Sequence, residues 1–106
     1  MTTTPGMIHT VYFWLKPGLS VADRSDFVRG AKQLGDAPTV LHCFVGVPAD
    51  TAERDVTDHS FDYSLHLMFT DVAAQNAYQI DPVHLKFVEE QADKFATVKV
   101  LDTSLL

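Results

Sequence analysis

The sequence predicts an α+β fold of the ferredoxin-like kind, β-α-β-β-α-α-β with an antiparallel sheet, paired with a second copy of itself into a dimeric α/β barrel. Three observations carry that expectation. Runs rich in β-branched and aromatic residues alternate with segments of helical periodicity in the order of a split βαβ plan. Two of those runs are apolar on both faces, which a sheet wetted on one side would not be. The chain has 106 residues, enough for one core and too few for two.

Ile8 to Lys16 reads as the first strand and stops at Pro17-Gly18, a turn signal. Ser20 with Asp23 resembles a capping box, in which the serine hydroxyl takes an otherwise unpaired backbone N–H. Phe27, Val28, Ala31 and Leu34 follow at helical spacing, and Gly35 as C-cap with Pro38 ends that helix. Val40 to Val47 is a second strand closed by Pro48. Asp50 to Ser60 is polar and acidic, an exposed loop, and Phe61 to Phe69 is the third strand.

Asp71 caps a short helix carrying Val72, Ala73, Ala77 and Ile80. Asp81-Pro82 opens the next one, because Asp suits the N-cap and Pro the first helical position. Leu85, Val88, Ala92 and Phe95 form its expected apolar stripe. Val98 to Leu101 is the last strand. Residues 1–6 read as a loose arm and residues 7–106 as a single domain.

Successive strand residues point to opposite faces. His9, Val11, Phe13 and Leu15 share one face of the first strand; Ile8, Thr10, Tyr12 and Trp14 share the other. Tyr63, Leu65, Leu67 and Phe69 oppose Ser64, His66 and Met68 on the third. Helices cover one face only, so Tyr12, Trp14, Phe44 and Met68 need cover from elsewhere. A two-fold pair with sheets face to face supplies it. The alternative is a monomer whose long loop or C-terminal tail folds over the sheet.

A net charge of −6 argues against nucleic acid or an anionic membrane as partner. No apolar run approaches the roughly 20 residues of a membrane span. The start lacks the charged and apolar regions of a signal peptide, and Cys43 is the only cysteine, so a cytoplasmic protein without an internal disulfide is expected. Cys43 lies in an apolar run, where a buried inert thiol is the plain reading.

Ile8-His9-Thr10-Val11, Phe61-Asp62-Tyr63 leading to Phe69, Tyr78-Gln-Ile-Asp-Pro-Val-His84-Leu-Lys-Phe87 and Val-Lys-Val-Leu-Asp102 occur in that order. This set resembles the stress-responsive A/B barrel family, often shortened to Dabb, from Met7 to Asp102. The resemblance implies a homodimeric α/β barrel. The family includes plant stress proteins, bacterial proteins of unknown role, and the plant olivetolic acid cyclase, which closes an aromatic ring by intramolecular aldol chemistry. By that resemblance His84 and Tyr78 stand at the reacting centre and His9 in its pocket. Two positions depart from the cyclase. Tyr63 stands where it has a histidine, and Gly30 or Ala31 where it has a tyrosine, which argues against the same polyketide reaction.

The residues themselves give His84 a further reason. With Asp81 as N-cap it occupies the first helical turn, where the positive end of the helix favours neutral imidazole and hence a proton acceptor. A histidine that only secures the helix start is the competing account. Tyr78 could donate its hydroxyl to a developing oxyanion; an ordinary core aromatic is the alternative. His9 is polar on an apolar face and needs a partner, either a ligand or a core hydrogen bond. Tyr63 could face the same space, with Phe13, Leu65, Leu85 and Val88 as the apolar wall.

His66 and His42 read as interface packing. His59 with Asp55 and Asp58 reads as a solvated acidic loop rather than a metal site. Two functions remain open. One is an enzyme acting on an enolisable carbonyl compound without metal, flavin or haem. The other is a non-catalytic homodimer that binds a small apolar or aromatic ligand or contributes to stress tolerance.

Overall fold

The computed structural model describes residues 4–106. It runs β1 (Met7–Leu15), α1 (Val21–Gln33), β2 (His42–Gly46), β3 (Tyr63–Phe69), α2 (Val72–Gln79), α3 (Pro82–Gln91) and β4 (Phe95–Ser104), with a 3-10 turn after α1 and another after α3. The four strands form one sheet in the order β2-β3-β1-β4, every neighbouring pair antiparallel. β1 and β3 occupy the middle, and each helical crossover returns the chain one strand further on. This is the ferredoxin-like α+β plan that the element order implies.

The helix starts form as their sequences dictate. Ser20 accepts from Asp23 N–H while the Asp23 carboxylate accepts from Ser20 N–H, closing the capping box. Asp71 accepts from Ala74 N–H, and Asp81 from Val83 N–H with Pro82 in the first turn. The α1 end differs from expectation. Gly35 does not take a left-handed cap; the helix tightens into a 3-10 turn over Leu34–Asp36. Its glycine is explained by proximity, since a Cβ there would lie 3.0 Å from the Cys43 Cβ.

Alternation along β1 is regular. Met7, His9, Val11, Phe13 and Leu15 are buried under the helices, while Ile8, Thr10, Tyr12 and Trp14 face the open side. The core joins them to Phe27, Ala31 and Leu34 of the first helical segment, Leu65, Leu67 and Phe69 of β3, Tyr78 of α2 and Phe87 of α3. Phe13 sits among the rings of Phe27, Phe87 and Phe95 at 5.1, 6.1 and 5.1 Å.

The stripe on α3 is a correction. Leu85 and Val88 are exposed, and the buried positions are Phe87 and Gln91. Val83, Phe87 and Gln91 lie four apart and so share one face. Gln91 is a polar core residue. Its amide nitrogen donates to the Asp26 carboxylate at 3.0 Å and backbone oxygen at 3.3 Å, and its oxygen accepts from Lys94 at 2.7 Å. The two bonds to Asp26 fasten α3 to α1, and all three together make a buried amide tolerable.

β4 is longer than the sequence suggests, because it pairs with β1 from Met7↔Ser104 to Leu15↔Phe95 with a bulge near Trp14. The expected loose arm is also shortened. Gly6 N–H donates to Phe69 O and its carbonyl accepts from Leu105 N–H, while residues 1–3 lie outside the described residues. The acidic loop lies partly over the open face: Tyr12 meets Phe61 edge-on at 4.8 Å, and the Trp14 indole donates to Ser60 at 3.0 Å. Phe44 and Leu101 remain bare there, 55% and 49% exposed. Among the described residues no helix is long and apolar enough to cross a membrane.

Candidate functional site

One row across the sheet sets the site. Cys43, Leu67, His9 and Asp102 are consecutive Cα partners on β2, β3, β1 and β4. Directly opposed residues point the same way, so all four face the helices. Asp102 accepts a hydrogen bond from His9 Nδ1 at 2.5 Å. A carboxylate only accepts, so Nδ1 carries a proton and Nε2 is the nitrogen that Asp102 does not engage. His9 is 5% exposed, and Asp102 is its direct polar tie.

Above that row α2 and α3 meet at a corner. Tyr78 lies in the last turn of α2 and His84 in the first turn of α3, their rings 4.8 Å apart. Tyr78 also meets His9 edge-on at 6.1 Å and Phe69 at 5.4 Å. Asp81 between them caps α3, so the relative placement of the two rings is a local property of residues 78–84. His84 Nδ1 donates to the Gln79 carbonyl at 3.0 Å. That fixes its tautomer and again leaves Nε2 as the acceptor.

The three rings line a common cavity of about 190 Å³ between β1, β4 and α3. Val11, Phe13, Leu65, Phe87, Phe95, Val98 and Val100 wall it, with Val88 at its margin. No lysine or arginine lines it, which suits an uncharged ligand.

Burial holds the His84 imidazole below its ordinary value, and the nearby His9 adds to that against the hydrogen bond to Gln79. His84 is therefore neutral at physiological pH. Burial pushes the Tyr78 phenol well above its usual range, so it keeps its proton and has an O–H to donate. Among the described residues no hydrogen bond engages the Tyr78 hydroxyl, yet no sealed polar atom lacks a partner.

His84, Tyr78, His9, Phe13, Leu65 and Val88 come together here. Leu85 does not: it points to solvent at 54% exposure. Tyr63 does not either. It meets Phe27 at a tilt, ring centres 5.1 Å apart, and opens toward Val21, Arg24 and Val28 of α1. His84 Nδ1 secures the corner through the Gln79 carbonyl, and the residue also lines the cavity. His66 bonds to Ser64 at 3.0 Å on the open face, His42 stacks on Phe44, and His59 bonds to Thr51 at 2.9 Å.

Asp102 escapes a reading that ends the last strand at Leu101. Extending the alternation Val98, Val100 by one step would have placed it beside His9. Phe87 was hidden by the choice of Leu85 and Val88 as the buried stripe, although Val83-Phe87-Gln91 has equal spacing.

Comparison with curated proteins yields no match. Among solved structures, a hydroxynitrile lyase from Passiflora edulis aligns over 97% of this chain and 96% of that one, at 22% identity and a TM-score of 0.80. A Dabb family protein with a ferredoxin-like fold from Mesorhizobium loti aligns over 95% of this chain and 98% of that one, at 26% identity and a TM-score of 0.74. A dimeric ferredoxin-like protein of unknown function from Thermobifida fusca covers 99% of this chain and 95% of its own, at 16% identity and a TM-score of 0.77. The fold is theirs, the family model for the stress responsive A/B barrel domain matches residues 7–105, and the chain belongs to that family.

Proposed function

We propose that the cavity under α3 performs acid–base chemistry on a small enolisable carbonyl compound, using the chain's own side chains. The observation that carries this reading is the convergence of Tyr78, His84 and His9 on one apolar chamber with complementary roles. Tyr78 keeps a proton to donate, and each histidine ring holds its neighbour through Nδ1, leaving Nε2 for a ligand. A carbonyl oxygen bonded to Tyr78 would gain negative charge as His84 Nε2 takes the α-proton. The C–H electron pair moves into the enolate, and the phenol stabilises the oxygen. Asp102 holds the His9 ring so that its Nε2 can accept or return a second proton.

Size narrows the substrate. A chamber of about 190 Å³ is below the roughly 300–1,000 Å³ of drug-sized pockets, so the reacting part is small. The Passiflora neighbour is named a hydroxynitrile lyase, and hydroxynitriles are adducts of carbonyl compounds. Lyase-like reactions of that size therefore fit the chamber better than closure of a long polyketide.

The acting form is a homodimer joined through the bare part of the open sheet face. Exposed Phe44 and Leu101 beside Met68 support it, as does the description of the Thermobifida neighbour as dimeric. Light scattering should give twice the chain mass at micromolar protein, and Phe44→Glu should shift it to the single mass. A wild-type monomer would remove the dimer from this account.

Solvent exchange tests the chemistry without knowledge of the physiological substrate. In deuterated buffer, NMR should show faster loss of α-protons from small ketones and aldehydes such as acetylacetone and phenylacetaldehyde. His84→Ala should abolish the acceleration while the protein stays folded at unchanged mass, with only a small fall in melting midpoint from loss of the bond to Gln79. Exchange that is equally fast with His84→Ala refutes the assigned base. Saturable binding without any exchange would mean that the cavity only holds a ligand.

A further inference from the structure

The chamber under α3 has one open side and one closed end. On the open side Val88, Val98 and Val100 are 40%, 42% and 47% exposed, β4 being the outer strand of the sheet. At the closed end Phe87 is 6% exposed, its ring set among those of Phe13, Phe27 and Phe95 at 6.1, 6.0 and 6.0 Å. We propose that Phe87 limits the chamber to carbonyl compounds with one small substituent, that is, aldehydes and methyl ketones. The proposal rests on the reading of this chamber as the place where the carbonyl group is held.

Position on α3 ties the ring to the assigned base. Phe87 and Val88 follow His84 by three and four residues, so the three share one face of the helix and border the same space. A carbonyl carbon carries two substituents. With the carbonyl beside His84, one substituent can run past Val88 to the open side, where the chamber sets no limit on length. The other is turned to the closed end and meets the Phe87 ring. That ring has little room to turn aside, because a close-packed aromatic moves only by disturbing the packing of its neighbours.

The space behind the ring assigns the limit to this side chain and not to the backbone. A groove of about 130 Å³ runs between α1 and α3, and among the described residues Phe87 alone lines both it and the chamber. On the α1 side the groove is bordered by Gly30, which is buried and has no side chain to fill it. One ring thus separates a chamber of about 190 Å³ from room it would otherwise share. Joined, the two spaces would pass the roughly 300 Å³ at which pockets for larger ligands begin.

Isomeric ligands separate the small substituent from overall size and hydrophobicity. 2-Heptanol carries a methyl and a pentyl group on its hydroxyl-bearing carbon, and 4-heptanol carries two propyl groups. Neither can be enolised, so their binding, followed by ligand-observed NMR, is independent of the acid–base chemistry. The wild-type chain should bind 2-heptanol about tenfold more tightly than 4-heptanol, the scale of a misfit in a closed apolar pocket. Phe87→Leu should narrow that preference, and Phe87→Ala should bring it within about threefold, chiefly by a gain for 4-heptanol. α-Proton exchange of 2-heptanone and 4-heptanone should follow the same order.

Phe87→Ala takes a ring out of the core; if that chain does not fold, folded Phe87→Leu decides. Three results overturn the proposal. They are equal or absent binding of the two alcohols by the wild type, a wild-type preference kept by the folded Phe87 variants, or a parallel loss of both alcohols in those variants. The last would make the ring a packing residue only. A preference between the alcohols that Phe87→Leu narrows, with no exchange of either ketone, would remove the acid–base reading and leave the limit at Phe87 standing.

Discussion

His9 and Asp102 are direct partners across β1 and β4, and the carboxylate holds the imidazole through Nδ1 at 2.5 Å. Asp102→Asn keeps an acceptor of the same shape but removes the charge and can present its NH₂ instead of its oxygen. Exchange activity should fall by about tenfold or more, with the 10²–10⁴ that a positioned acid or base supplies as the upper bound. Stability should change little, because the Asp102 side chain is half exposed. Activity equal to wild type at saturating ketone would show that His9 needs no anchor.

Asp81 terminates one functional residue's helix and starts the other's. Asp81→Ala should lower stability by about 0.5–2 kcal/mol through loss of the α3 cap. Under conditions where the variant is still folded, its exchange activity should fall as well, since the corner sets the Tyr78–His84 geometry. A urea melt alongside the exchange assay separates the two effects.

Gly30 faces Gln91 so closely that an added Cβ would lie 2.8 Å from the Gln91 amide nitrogen. Gly30→Ala gains about 1 kcal/mol of helix propensity. It also overpacks a fully buried side chain at about 1–3 kcal/mol and disturbs bonds whose loss costs a similar amount. Net destabilisation of about 1–3 kcal/mol should appear as an earlier urea midpoint. A stabilised Gly30→Ala protein would show that Gln91 can move aside.

Burial keeps His66 and His84 below the ordinary histidine value of 6.5. Above 6.5 both are neutral whether the chain is folded or not, and they add no pH dependence. As pH falls through 6.5 the unfolded chain takes up protons that the folded one does not. Stability therefore declines from there until the folded-state values are reached. Urea midpoints one unit above and one unit below 6.5 should differ in that direction, and His66→Gln should reduce the difference. The acid limb of the exchange rate should likewise fall below 6.5, where His84 gains its proton.

The fold was readable because its determinants are local. Ser20-x-x-Asp23, Asp71 and Asp81-Pro82 each satisfy orphan N–H groups within four residues, and period-two alternation on β1 separates His9 from Tyr12 without knowledge of the partner strands. The site was readable only in its local half. Tyr78 and His84 are six residues apart around one cap, whereas Asp102 reaches His9 through a register set by the whole sheet. Leu85 and Phe87 compete for the buried face of α3 at nearly equal spacing. Only the packing of Phe87 against Phe13 and Phe27 decides between them.

That division has a consequence for how the protein comes to life during synthesis. The Tyr78–His84 corner lies in the α2–α3 segment, made before β4, and its cap and ring contact need nothing that follows. His9 has been made earlier still, but it stays unanchored until β4 closes the sheet edge and brings Asp102 alongside. A nascent chain halted just before Phe95 would carry all three rings yet lack the anchor and the Val98 and Val100 wall. On the proposed reading, chemistry would begin only once the strand order is complete, so the closure that finishes the sheet would also complete the site.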